Sequence, residues 1–84
     1  MQIKTPVTDK SFLEMVEKQL KTVTKKHGDK YNSAEEMLGV ITEEQHELLH
    51  AVWEGNGNVT THVLQELVDI AVVCVRGARG YMHN

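Results

Sequence analysis

The chain has 84 residues, 25% of them charged, and a formal net charge of −3. That length holds one domain with a small core, and the charge argues against a nucleic-acid partner. A single cysteine, Cys74, excludes an intrachain disulfide, and the longest apolar-rich run, residues 67–75, contains Asp69 and is too short to span a bilayer.

The first ten residues, MQIKTPVTDK, carry no apolar stretch of the secretory-signal kind. With a free thiol set in an apolar run, they predict a cytoplasmic protein. Three helices follow in order, at about 9–27, 34–54 and 60–78, within one domain covering 1–84. In the first, Ser11 and Glu14 have capping-box spacing, and Phe12, Leu13, Val16, Leu20 and Val23 recur at helical intervals. His27-Gly28-Asp29 ends it. Ser33 and Glu36 repeat the capping pattern and open the second helix. EGNGN at 54–58 is a turn, and Thr60 or Thr61 can cap the third helix, which should stop near Gly77 or Gly80. The β-branched run VDIAVVCV permits a buried strand, but its length and surrounding periodicity favour helix. Cys74 reads as a small core residue.

Charge is unevenly spread. Seven of the nine basic residues lie in the first 30 positions, whereas Tyr31 to Val75 holds eight carboxylates and no lysine or arginine. A compact segment of that kind repels itself unless cations come from elsewhere.

Residues 46–50 read HELLH, the His-Glu-x-x-His pattern of zinc peptidases. At about 100° per residue, with Glu44 at zero, Met37, Leu38, Val40, Ile41, Leu48, Leu49, Ala51 and Val52 share a sector from roughly 320° round to roughly 140°. That sector is the expected buried face. His46 and His50 fall on the opposite side of the helix and point away from it, so a zinc peptidase is the less favoured alternative and any metal capture by the pair is incidental. Trp53, also turned away from the carboxylates, suits a core or subunit contact.

Glu44 lies inside the apolar sector, where a carboxylate costs several kcal/mol unless paired or coordinated. Glu47 is its i, i+3 neighbour, and Glu66 and Asp69 repeat the spacing on the third helix. A short turn centred near Gly57 makes the last two helices antiparallel. Glu47 and Glu66 stand at nearly equal distances along the chain on either side of Gly57, and so, one turn further out, do Glu44 and Asp69. Each pair therefore shares a height on the hairpin, and where the two faces meet the four carboxylates converge. Oxygen-only ligands suit Mg²⁺, or Mn²⁺, rather than zinc.

EEQHELLHAV followed by QELVDIAVV resembles the E-x-x-E … E-x-x-D signature of the MazG-like, all-α nucleoside triphosphate pyrophosphohydrolases. The matching residues are Glu44, Glu47, Glu66 and Asp69, the two halves being separated by positions 48–65, and the resemblance covers roughly residues 34–78. It implies Mg²⁺ held by those four, and hydrolysis of a nucleoside triphosphate between the α and β phosphorus atoms to a monophosphate and pyrophosphate. Glu43 or Glu47 is the candidate general base. Lys26, Lys30 and Arg76 are candidate phosphate ligands. The third helix is apolar around most of its circumference, which predicts a homo-oligomer whose hairpins complete a four-helix bundle. The resemblance likewise implies a dimer or tetramer. The rival reading is a non-catalytic helical module that oligomerises or senses a nucleotide; it gives the four carboxylates nothing to do.

Overall fold

A computed structural model describes residues 6–82 and the side chains up to Tyr81. The described chain consists of three α-helices: α1 (Asp9–His27), α2 (Ala34–Glu54) and α3 (Thr61–Met82). It contains no strand. No helix of the described residues is long and apolar enough to cross a membrane.

The helix ends are set by side chains that satisfy otherwise orphaned backbone groups. At α1 the cap is Thr8, with extended backbone, and the box closes on Ser11. The Thr8 hydroxyl accepts from the Ser11 N–H at 3.0 Å, and the Ser11 hydroxyl accepts from the Thr8 N–H at 2.9 Å. The Ser11–Glu14 pattern is therefore displaced by one turn, because Ser11 serves as the third helical residue rather than the cap. Gly28 ends the helix at φ 95°, which favours glycine. Ser33 caps α2 by accepting from the Glu36 N–H at 3.1 Å. The α2–α3 turn uses left-handed backbone at Asn56 and Gly57, and the Thr60 hydroxyl caps α3 by accepting from the Val63 N–H at 3.2 Å.

Helix α3 continues through Gly77 and Gly80, past the stop those glycines suggested. Gly77 lies under the Met37 side chain, where a Cβ would collide with the thioether. Its role is close packing of α2 on α3, and termination plays no part in it.

Helix α3 packs against both α1 and α2, while α1 and α2 make no close backbone approach to each other. The core is small: Val16 of α1 meets Val68 and Val72 of α3, with Phe12, Met15, Leu20, Val23 and Ala71 around them. Two arginines of α3 hold the far end of α1. Arg76, itself buried, donates from Nε to the Gly28 carbonyl at 3.2 Å and from Nη2 to the His27 carbonyl at 3.4 Å. Arg79 donates to the Thr24 hydroxyl at 3.1 Å and to the Asp29 carbonyl at 3.0 Å. The Arg76 bonds complete carbonyls left open at the C-terminal end of α1.

Two of the eight residues in the α2 sector expected to be buried are bare. Leu38 is 60% and Leu49 44% exposed, and of that sector Ala51 alone is fully buried. The reason is topological: α1 docks on α3 and leaves that side of α2 without a neighbour. Cys74 is also exposed, correcting its reading as a core residue. It lies on the same open side of α3 as Leu67 and Ala78, both exposed. Trp53, 67% exposed, belongs to no core of this chain. The radius of gyration is 14.3 Å, against about 12 Å for a compact domain of this length.

Candidate metal centre

Because α1 and α2 both lean on α3 without meeting, a cleft of about 580 Å³ opens between them, with α3 as its floor. Gln19, Val23 and His27 of α1 form one wall; Glu36, Val40, Glu43 and Glu44 of α2 form the other. Asp69, Val72, Val73 and Arg76 form the floor, and Tyr31 closes one end. The Arg76 guanidinium stacks over the Tyr31 ring, 4.3 Å from its centroid.

At the edge of this cleft the antiparallel hairpin brings Glu44 of α2 beside Glu66 and Asp69 of α3. Each of the three offers a carboxylate oxygen, and those atoms lie within 4.8 Å of one another. Glu66 is only 6% exposed. The Oε2 atoms of Glu44 and Glu66 are buried without a hydrogen-bond partner. An unpaired buried carboxylate oxygen carries a desolvation cost that only a proton, a donor or a cation removes. Asp69 Oδ1 accepts from Gln65 Nε2 at 3.1 Å, and Glu66 Oε1 lies 3.4 Å from His62 Nε2. No lysine or arginine pairs with these carboxylates among the described residues.

Electrostatics follow from that geometry. Burial, helped by the charges of Glu47, Asp69 and Glu66, pushes the Glu44 carboxyl from 4.5 up to about 7. Glu66 is raised by burial first, then by the charge of Glu47 and hydrogen-bond contact with it, while His62 pulls the other way. Asp69 is raised by burial, partly offset by its bond from Gln65. Three neighbouring acids that resist ionisation together are the mark of a site short of positive charge.

The chain has no significant match among family models, curated proteins or solved structures. The site is therefore read from its own geometry. Of the four carboxylates singled out in the sequence, Glu44, Glu66 and Asp69 come together, and Glu47 is exposed at their margin. Its charge reaches all three. The oxygen-only donor set, with two orphaned buried oxygens, fits Mg²⁺ or Mn²⁺.

Glu43 is exposed and lines the cleft next to Glu44. Arg76 also lines it, although its guanidinium is bonded to α1. Lys26 is exposed outside the cleft, and Lys30 borders a separate recess with Met37 and Gly77. His46 and His50 are exposed, with ring centroids 6.4 Å apart, and His50 meets the edge of Trp53. Sequence reasoning does not single out Gln65, His62 or Tyr31 as site residues. Gln65–Asp69 and His62–Glu66 are i, i+4 pairs, so that spacing is the available signal.

Proposed function

We propose that this chain is a cytoplasmic Mg²⁺-dependent nucleoside triphosphate pyrophosphohydrolase. The observation that carries the reading is the three-carboxylate cluster, with two of its oxygens buried and unpartnered, at the edge of a cleft of small-ligand size. Glu44, Glu66 and Asp69, with Glu47 at their margin, would hold the ion. When bound, the ion supplies positive charge against the triphosphate and lowers the pKa of an attacking water.

The chain's own residues do the rest. Glu43, which lines the cleft wall outside the three-carboxylate group, would take a proton from the attacking water. Glu47 is the other candidate; its charge acts on all three clustered carboxylates. Arg76 contributes a fixed positive charge to the cleft floor. Apolar Val23, Val40, Val72 and Val73 offer the cleft its non-polar surface for the rest of the nucleotide. The bare faces of α2 and α3 would be covered by a second copy, completing a four-helix bundle as a dimer or tetramer.

The test is a panel of nucleoside triphosphates with Mg²⁺, with pyrophosphate and orthophosphate measured separately. Release of pyrophosphate and monophosphate is expected. It should stop in EDTA and return with Mg²⁺ or Mn²⁺, without zinc. Hydrolysis that persists in EDTA refutes the metal assignment, and orthophosphate as the product refutes the bond assignment. No turnover of any nucleotide returns the chain to the class of non-catalytic modules.

A further inference from the structure

Glu66 is the most buried member of the cluster, yet it sits among Glu44, Glu47 and Asp69 with no lysine or arginine paired to it among the described residues. One group of the opposite character reaches it. The His62 ring, one turn earlier on α3, brings Nε2 to 3.4 Å from Glu66 Oε1. Its other nitrogen, Nδ1, lies 3.5 Å from Oε2 of Glu54, in the last turn of α2. The imidazole therefore lies between an exposed carboxylate at the end of one helix and a buried carboxylate near the start of the next. The turn between them is itself ordered: the Gly57 N–H donates to the Val52 carbonyl at 2.9 Å, and Asn58 Nδ2 donates to the Gly55 carbonyl at 3.0 Å.

A glutamate side chain has three rotatable bonds, and a ligand carboxylate binds well only if it is held in place before the ion arrives. We propose that His62 is a positioning residue for the metal centre: through Nε2 it holds one oxygen of Glu66 and so ties that carboxylate to the α2–α3 turn. The inference rests on the metal reading given under Proposed function. It adds a residue that belongs to neither acidic pair.

The two nitrogens give the test its discrimination. In His62→Gln the amide N–H would stand near the position of Nε2, and in His62→Asn near that of Nδ1. Mn²⁺ binding to the metal-free full chain is measured by isothermal titration calorimetry for wild type, His62→Ala, His62→Gln and His62→Asn, with thermal melts of each in EDTA. His62→Ala should weaken Mn²⁺ binding about 10- to 100-fold, His62→Gln should restore most of it, and His62→Asn should not. The melts in EDTA should change little, since the ring is half in water. Mn²⁺ affinity of His62→Ala within twofold of wild type overturns the positioning role and leaves the metal centre standing. Equal loss in the glutamine and asparagine variants, with lowered melts, overturns it in favour of a purely structural ring. A wild type that binds no Mn²⁺ overturns both this inference and the reading beneath it.

Discussion

Replacing Glu44 by glutamine should stabilise the metal-free protein above pH 7. The carboxyl is raised from 4.5 to about 7 by burial and by its acidic neighbours, so the folded state binds a proton more tightly than the unfolded chain does. The linkage sign is then set: between those values the folded state holds more protons, and stability falls as pH rises. Below 4.5 both states are protonated and the cost is absent; above about 7 it is complete. A rise of that size corresponds to roughly 3 kcal/mol. Glu44 is only half-buried, and water screens part of the repulsion, so about 1–2 kcal/mol is expected. Urea unfolding in metal-free buffer, at one protein concentration and at several pH values from about 4.5 to about 8.5, measures this. The wild type should lose stability across the window. Glu44→Gln should be flatter and more stable by about 1–2 kcal/mol at pH 8. Saturating Mg²⁺ should reverse the order, stabilising wild type by about 2.7 kcal/mol at one hundred times its dissociation constant. A glutamine variant less stable than wild type at pH 8 without metal would show that the carboxylate is paired rather than strained, and the charge argument would fail.

Three further expectations follow from other parts of the molecule. His46→Ala and His50→Ala should each leave kcat within a few-fold of wild type, since both rings face solvent; a hundredfold loss in a folded variant, about 2.7 kcal/mol, would place the zinc-like motif in the chemistry after all. Arg76→Ala should destabilise the metal-free protein by about 2–4 kcal/mol in urea unfolding, because it strips a buried guanidinium from two helix-end carbonyls and from Tyr31; Arg76→Lys should not recover this, since a single ammonium cannot span the same fork. The melting temperature should fall on dilution, because the proposed association would cover the bare faces of α2 and α3 and so links folding to assembly; a monomer in sedimentation with a concentration-independent melt would contradict that.

The capping side chains and the recurrence of apolar residues are enough to read three helices from the sequence. Counting outward from Gly57 places Glu44 and Asp69, and Glu47 and Glu66, at common heights, and three of these four carboxylates do gather. Periodicity tells which face of a helix is apolar but not which neighbour covers it, and for that reason Leu38, Leu49 and Cys74 look buried in the sequence and lie open in the fold. Gly77 misleads because a glycine that lets two helices approach looks, in a sequence, the same as one that ends a helix. Arg76 stands out as a cation near the acids. Its bonds to His27 and Gly28 cross 49 and 48 positions of the chain, and no local pattern announces such a contact.

Those long spans bear on the order in which the chain assembles. The hairpin of α2 and α3 closes through a turn of a few residues, whereas every bond from Arg76 and Arg79 to α1 and its end joins positions 48 to 55 apart. Docking α1 first would mean closing a loop of that length in a disordered chain. Once the hairpin exists, only the short link 28–33 remains to be closed, and the entropic cost falls by about 2 kcal/mol. The hairpin is thus the natural nucleus and α1 the late arrival. The carboxylate cluster, carried wholly by α2 and α3, would be assembled before the cleft beside it has its second wall.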